Sequence, residues 1–278
     1  MAEGNSAMLQ SCDAAMTTFK IVLAYDGTDF NGWQRQPEGT SIQRLLEDAL
    51  RDLDGRDVAV TGAGRTDAGV HALAQVAAFA LERTIAPDAL VRAVNVRLPE
   101  SVRILSAEPA RADFHPRFDA TAKTYRYRIW NADVVSPFER RFAWHVIDRL
   151  DVDAMNAAAA CLVGTHDFAA FQGTGSDTAT TTRTILSSRI AECGMRIDFG
   201  FGNKSAIRNP QSAILEYEVS GDGFLRYMVR NVVGSLVDVG RGRCPPSWLA
   251  EVLASRDRTR AGRTAPAHGL FLVGVKYE

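Results

Sequence analysis

Hydrophobic and polar residues recur along the first part of this chain with periods that predict its secondary structure. From Ser41 onward the apolar residues are spaced by three and four, and Thr40 or Ser41 can cap the first turn, which predicts an amphipathic helix. Residues 18–25 are rich in β-branched and aromatic side chains and predict a strand that stops at Asp26-Gly27. The same criteria predict strands at residues 57–61, 75–81 and 101–108, and a helix opened by Pro87.

The second part of the chain largely repeats this order of elements without repeating its sequence. In residues 121–130 the side chains alternate, so Tyr125, Tyr127 and Ile129 share one face of a predicted strand while Arg126, Arg128 and Trp130 share the other. Further patterns predict helices at residues 152–163, 224–239 and 247–254, and strands at residues 183–190, 213–220 and 270–277.

The order of elements predicts an α+β fold with two similar lobes. Each lobe would hold a mainly antiparallel or mixed sheet with helices packed on one face, because consecutive strands are often too close for helical crossovers. We expect a flexible N-terminal extension over residues 1–17, an N-terminal lobe over residues 18–112, and a C-terminal lobe over residues 113–278.

Composition excludes several classes of protein. The 278 residues are 46% hydrophobic and 23% charged, which is typical of a folded globular protein and not of a disordered chain or a coiled coil. No apolar run approaches the roughly 20 residues that cross a bilayer, and the first residues lack the apolar core of a secretory signal. We therefore expect a soluble, cytoplasmic protein with no membrane association. The spacing of its four cysteines and five histidines predicts neither a disulfide framework nor a metal site.

The distribution of charge matters more than its total. A formal net charge of -1 lowers the expectation of nucleic-acid binding. However, residues 224–263 hold eight arginines and three acidic residues, a local net charge of +5, and residues 103–128 have a local net charge of +3. These two clusters are either solvated faces or parts of one phosphate-binding surface, and the sequence leaves both readings open.

The loop from Gly62 to His71 (GAGRTDAGVH) is the strongest candidate for chemistry. Its first two glycines suggest a dinucleotide site, but Asp67 occupies the position of the third glycine and no helical pattern follows. No phosphate-binding Gly-x-x-x-x-Gly-Lys motif occurs either. Asp67 could simply cap a turn; alternatively, the glycines at 62, 64 and 69 allow a ligand to approach, and Arg65 supplies hydrogen-bond donors beside the carboxylate.

Two further residues combine with this loop into a candidate site. Tyr125 could belong to the core or present a flat ring to a base taken out of a helix. The neighbouring Lys123, Arg126 and Arg128 would suit an adjacent RNA backbone. On the predicted helix 224–239, Arg230 lies one turn from Arg226 and could either be solvated or reach a buried carboxylate, where its charge would favour ionisation.

Taken together, these segments resemble the tRNA pseudouridine synthase family called TruA, and the resemblance covers nearly the whole chain from about Phe19. Only the N-terminal extension and a longer, irregular stretch at residues 193–211 fall outside the pattern. The segments that carry the resemblance are YDGTDFNGWQRQ (25–36), GAGRTDAGVHA (62–72), NVRLP (95–99), FHPRF (114–118), KTYRY (123–127), GTHDF (164–168), FLRYMVRN (224–231) and TAPAHGL (264–270).

The resemblance implies the pseudouridine synthase fold with an active-site cleft between its two lobes, a homodimer, and no cofactor or metal. The implied enzyme is an isomerase, an intramolecular transferase, whose substrate is uridine at positions 38, 39 and 40 in the anticodon stem-loop of tRNA. Carried over to this sequence, Asp67 would be the catalytic aspartate and Tyr125 the tyrosine against the target base. Arg65 would hold the flipped nucleotide and Arg230 would pair with Asp67.

The reaction would need Asp67 ionised, either as a nucleophile at the anomeric carbon or as a base at the neighbouring ribose carbon, and the sequence does not separate these routes. Two rival hypotheses remain. One is a tRNA-binding protein without catalysis, which the presence of Asp67 beside Arg65 and Tyr125 disfavours. The other is an enzyme of the same family that modifies other uridines or other RNAs.

Overall fold

The computed structural model describes residues 16–175, 178–193 and 214–278. Residues 1–15 of the expected N-terminal extension and nearly all of the irregular stretch 193–211 lie outside the described residues. The strands are β1 (Thr17–Tyr25), β2 (Thr61–Gly62), β3 (His71–Leu81), β4 (Val102–Pro109), β5 (Ala122–Trp130), β6 (Trp144–His145), β7 (Gly164–Asp167), β8 (Thr182–Cys193), β9 (Ile214–Gly221) and β10 (Leu270–Lys276). The helices are α1 (Ile42–Asp54), α2 (Pro87–Asn95), α3 (Val152–Ala159), α4 (Met228–Gly240) and α5 (Trp248–Ser255).

A single mixed sheet runs through the described part of the molecule, in the order β4-β1-β3-β10-β5-β9-β8-β7. Most neighbouring strands are antiparallel, while β10 pairs in parallel with β3 and β6 in parallel with β5. This arrangement confirms the predicted α+β class with a mainly antiparallel sheet. Strand β10 lies between β3 and β5 and so joins the β4-β1-β3 part of the sheet to the β5-β9-β8-β7 part.

The two faces of the sheet carry different residues. On β1 the buried side chains Phe19, Ile21, Leu23 and Tyr25 face one side, where Leu46 and Leu50 of α1 are also fully buried in the same core. The register from Tyr25 through Ala72 and Leu272 to Tyr125 keeps these residues on that same side. We call it the helix face, and we call the opposite side, which carries Arg126 and Arg128, the open face.

Helix α1 follows its sequence prediction closely. Ser41 is its N-cap, with the hydroxyl oxygen accepting a hydrogen bond from the Arg44 amide, and Gly55 ends it in the left-handed conformation. Its buried residues, Ile42, Leu46, Ala49, Leu50 and Leu53, are those of the apolar stripe.

Several predicted elements differ from the structure at their ends; for example, β3 begins at His71 instead of residue 75. The strand expected at residues 57–61 is reduced to the two residues of β2, because only Thr61 and Gly62 pair with β3. Helix α3 ends at Ala159 and continues as a 3-10 turn over Ala160–Leu162. Helix α4 begins at Met228 instead of residue 224, because Tyr227 adopts the left-handed conformation (φ 61°), which a continuous right-handed helix cannot contain.

Within the described ranges, no helix has both the length and the apolar character needed to cross a membrane.

Candidate active site

Backbone hydrogen bonds with the segment after β1 hold the loop that carries Asp67. The Trp33 amide donates to the Thr66 carbonyl oxygen at 3.0 Å, and the Gly69 amide donates to the Phe30 carbonyl oxygen at 3.3 Å. At Gly32, which has a φ of 91°, a side chain would collide with the backbone of Thr66 and Asp67. The position of Asp67 is therefore set by backbone contacts with a second loop, close enough that only glycine fits at residue 32.

The three glycines of the loop from Gly62 to His71 have different roles, which corrects the expectation that all three admit a ligand. Gly62 lies against the indole ring of Trp33, and Gly69 (φ 77°) lies in the turn closed by the hydrogen bond from the Val70 amide to the Asp67 carbonyl oxygen. Only Gly64 is open: a Cβ there would lie 3.8 Å from the Tyr125 hydroxyl and 3.9 Å from Lys123 Nζ. Gly64 thus borders the space between the loop and β5.

Asp67 and Arg230 form an ion pair across the site. Arg230 Nη1 donates to Asp67 Oδ2 at 3.2 Å, although the two residues are far apart in sequence. The side chain of Asp67 is 26% exposed and that of Arg230 15%, so the carboxylate remains accessible while its partner is mostly enclosed. Of the two sequence-based readings of Arg230, solvated or paired with a carboxylate, the structure supports the second.

Burial and charge act on Asp67 in opposite directions. Burial raises the pKa of the Asp67 carboxyl, whereas the charge and hydrogen bond of Arg230 and the more distant charge of Arg226 lower it, and the balance lies above the usual value for aspartate. Arg230 thus lowers the pKa of Asp67, as the sequence predicts, but desolvation has the larger effect, because the loop and its surroundings remove water from the carboxylate.

Arg230 is itself fixed by the segment that precedes β10. Its Nε donates to the Ala265 carbonyl oxygen at 2.8 Å, and the Ala265 amide donates to the Arg230 carbonyl oxygen at 3.1 Å. Beneath this pair, Arg258 Nη2 donates to Asn231 Oδ1 at 3.0 Å and to Thr264 Oγ1 at 3.1 Å. No local sequence pattern indicates this role for Arg258, because its partners Asn231 and Thr264 belong to other segments.

Tyr227 places a ring next to Arg230. The Arg226 and Arg230 guanidinium carbons each lie 4.9 Å from the centroid of the Tyr227 ring, a cation-π distance. A side chain at Gly173 would collide with this ring. Tyr227 holds the left-handed backbone at a cost of roughly 1–2 kcal/mol, and the contact with Gly173 keeps its ring beside Arg230. Sequence analysis missed this residue because side-chain type does not indicate a left-handed tyrosine.

Tyr125 lies on the helix face of β5, with its ring edge-on to Phe224 at 5.0 Å between centroids. Only 8% of the residue is exposed, so it belongs to the core as well as to the site. Burial raises the pKa of its hydroxyl, and the negative charge of Asp67 adds to that effect. The phenol is therefore neutral at any ordinary pH and can act as an apolar wall and a hydrogen-bond donor.

Arg65 does not contact Asp67 through a hydrogen bond or ion pair. It is exposed and, within the described part of the chain, has no hydrogen-bonding or ionic partner for its side chain. Its guanidinium is free to meet a ligand that enters above the loop.

The neighbouring His71 is structural. Its Nδ1 accepts a hydrogen bond from the Gly27 amide at 3.0 Å, and Nε2 lies 3.1 Å from the carbonyl oxygens of Arg141 and His268. Burial lowers its pKa, so the ring is neutral and donates through Nε2.

Arg126 and Arg128, which the sequence suggests for an adjacent RNA backbone, lie on the opposite face of β5 from Tyr125 and are paired with acidic residues. Both point to the open face: Arg126 Nη2 donates to Glu218 Oε2 at 2.9 Å, and Arg128 Nη1 lies 3.0 Å from Glu139 Oε2. Much of the positive charge at residues 224–263 is also neutralised locally, with Arg241 paired to Asp148, Arg243 to Asp238 and Arg256 to Asp167. Counting charges along the sequence overstated the free positive surface.

Comparisons with known proteins bear on this site. Residues 21–119 and 158–278 match the sequence model of a family described as tRNA pseudouridine synthase. A protein of Pelobacter propionicus named tRNA pseudouridine synthase A is 45% identical over 262 residues, covering 94% of this chain and all of the relative. Proteins with the same name from Solibacter usitatus (45%) and Myxococcus xanthus (44%) are also matched over 94% of this chain, with 100% and 92% of their own lengths covered.

Proposed function

The chain belongs to the tRNA pseudouridine synthase family and is an isomerase, and we propose that it converts uridine to pseudouridine at positions 38, 39 and 40 in the anticodon stem-loop of tRNA, with Asp67 as its catalytic residue. We further propose that it acts in the cytoplasm as a homodimer, with residues 18–112 and 113–278 forming the lobes on either side of the cleft.

One observation carries the assignment of Asp67. The side chain of Asp67 is mostly buried but still reaches the surface, and Arg230 Nη1 lies 3.2 Å from its Oδ2. A carboxylate that merely capped a turn would bond to nearby amides, whereas this side chain is paired with an arginine that comes from another part of the chain. Such pairing favours the ionised form in a site from which water is partly excluded.

The reaction breaks the bond from uracil N1 to ribose C1′ and joins the same C1′ to C5 of the base, while the hydrogen of C5 is replaced and N1 gains a proton. The ionised Asp67 either attacks C1′ or removes a proton from the neighbouring ribose carbon. In both routes the uracil must be held while it turns. Atoms and charge balance within the substrate, so the step consumes no oxidant or reductant.

The remaining residues supply positioning. Tyr125 offers a flat ring and a neutral hydroxyl beside Gly64, which suits a base that has left its stack. Arg65, exposed on the same loop, is free to occupy the space that the flipped nucleotide leaves or to bind its phosphate. Arg230 keeps Asp67 oriented toward the ribose through its bonds to Asp67 and Ala265.

The test of the catalytic residue is the Asp67→Ala variant. It should bind an unmodified tRNA transcript within a few-fold of the wild-type affinity and form no detectable pseudouridine. Turnover at the wild-type rate would overturn the assignment. A soluble, folded wild-type enzyme that binds tRNA and forms no pseudouridine would instead favour binding without catalysis.

The test of the position is a map of pseudouridines in tRNA from cells that lack the gene. Loss of the modification at positions 38, 39 and 40, restored by the wild-type gene and not by Asp67→Ala, supports the proposal. Loss at other uridines, or in another RNA, would contradict the anticodon stem-loop and leave the reaction class intact.

A further inference from the structure

Three cations beside Tyr125 lack the acidic partners that other cations of this protein have. They are Lys123 on β5, Arg117 in the loop before β5, and Arg183 on β8. Within residues 16–175, 178–193 and 214–278, none of the three has an acidic side chain at ion-pair distance. We call this group the cation cluster.

Lys123 is the centre of the cluster. It lies two residues before Tyr125 and therefore on the same face of β5, and its Nζ borders the open side of Gly64 together with the Tyr125 hydroxyl. Its partners across the sheet, Gly221 on β9 and Val275 on β10, carry no charge. In the described part of the chain, the ammonium group of Lys123 thus has no acidic counter-ion.

The environment of Lys123 disfavours its charge. Burial, followed by the positive charges of Arg117 and Arg183, lowers the pKa of Lys123 to about 8. Arg183 is held in place because its Nη1 donates to the Thr180 carbonyl oxygen at 2.9 Å, and its Nε lies close to Gly223. A bound anion would offset the repulsion among these three cations.

We propose that Lys123, with Arg117 and Arg183, binds an RNA phosphodiester adjacent to the nucleotide whose ribose lies at Asp67. This inference rests on the proposed function and adds a subsite to it. A phosphodiester carries a permanent negative charge that offsets the repulsion among the three cations, whereas a neutral uracil carbonyl does not. Lys123 Nζ and the Tyr125 hydroxyl both border Gly64, which lies three residues before Asp67 on the same loop, so a phosphate bound at Lys123 would be close to the nucleotide at Asp67.

The experiment measures how salt weakens binding of an unmodified tRNA transcript to the intact protein. Each phosphate contact contributes about 0.9 to the slope of log affinity against log salt, or about 0.7 for single-stranded RNA. We expect Lys123→Met to weaken binding roughly tenfold at low salt and to lower the slope by about one contact. Lys123→Arg keeps the charge and should retain the wild-type slope.

A matched control is Lys20→Met. Lys20 is also partly enclosed, with its side chain 23% exposed, but it is paired with Glu108 at 2.8 Å. Its replacement should leave the slope unchanged. The pH provides a second readout: wild-type affinity should fall as the pH rises through about 8, where Lys123 loses its proton. Lys123→Arg should not show this fall, since arginine remains charged.

Two outcomes would overturn the phosphate subsite. If Lys123→Met lowers kcat while affinity and salt slope stay at wild-type values, the lysine acts on the reacting base. If both Lys123 variants lose binding together with thermal stability, its role is structural. Neither outcome contradicts the proposed function, which fails only if the wild-type protein forms no pseudouridine in tRNA.

Discussion

Strand β5 has basic residues on both of its faces, and the two faces differ in whether those residues are paired with acidic side chains. On the open face, Arg126 and Arg128 lie opposite Glu218 and Glu216 of β9, and each arginine has an acidic partner within 3.5 Å. On the helix face, Lys123 lies opposite Gly221 and has no acidic partner at ion-pair distance among the residues that the structure describes. The two arginines of the open face are thus paired within the protein, whereas Lys123 on the helix face is the cation that we propose binds a phosphate.

This difference shows why a basic sequence cluster is a poor guide to an RNA surface by itself. Lys123, Arg126 and Arg128 are almost adjacent in sequence, yet strand alternation places Lys123 on the opposite face from the two arginines. Acidic residues of the neighbouring strand β9 then pair with the arginines and not with Lys123. The contrast between the faces can be tested by changing one residue at a time, beginning with the largest expected effect.

Replacing Arg230 should produce the largest change, because it stands beside Asp67 on the helix face. We expect Arg230→Met to lower kcat by about 10²–10³-fold, comparable to removal of one fixed electrostatic group from an active site, with a smaller effect on tRNA affinity. Burial already raises the pKa of Asp67 and Arg230 opposes this, so its loss should move the acid limb of the pH–rate profile to higher pH. An unchanged acid limb would show that Asp67 does not control that limb.

Arg230→Lys serves as the control for charge. It retains a cation near Asp67 but cannot bond to both Asp67 and Ala265 as the guanidinium does. Its acid limb should lie between those of the wild type and Arg230→Met.

An intermediate effect is expected from Gly173→Ala. The added methyl group would collide with the Tyr227 ring, which lies against Arg230, so the ring must move. We expect a loss of about 1–3 kcal/mol in the free energy of unfolding, as for other overpacked sites, and a several-fold fall in kcat. Thermal melting and initial rates measure the two effects.

Gly274→Ala is the matched glycine control. Gly274 lies on β10, and a Cβ there would meet no atom within 4 Å. If the two alanine variants behave alike, Tyr227 does not position Arg230.

The smallest effect should come from the open face. Arg126→Met removes a partly exposed ion pair with Glu218, and such pairs contribute about 0.2–1 kcal/mol. We expect a slightly lower melting temperature, with an unchanged salt slope for tRNA binding and unchanged kcat. A loss of one phosphate contact in this variant would show that the open face also binds RNA.

Local sequence patterns predicted much of the fold. The apolar stripe and Ser41 cap located α1, and alternation in residues 121–130 assigned the faces of β5 correctly. These features depend on residues near one another in the chain. By contrast, the insertion of β10 between β3 and β5 pairs Phe271 with His71, and no local period indicates which strand will be a neighbour.

The identity of individual site residues could be predicted from the sequence, but most contacts between them could not. The sequence brought forward Asp67 and Arg230, and the structure places them in contact. It could not indicate that Gly62 and Gly69 serve the packing and turn of the loop, that Tyr227 is left-handed, or that burial outweighs Arg230 in its effect on the pKa of Asp67. Each of these depends on contacts between distant segments.

The position of β10 also has a consequence for protein synthesis. Domains that form early in translation can fold while the remainder of the chain is still being made. Here the sheet stays divided until the ribosome has added Leu270–Lys276, because β10 is the strand that links β3 to β5. We therefore expect a nascent chain to hold the Asp67 loop and Tyr125 apart until β10 has been made and can pair with β3 and β5.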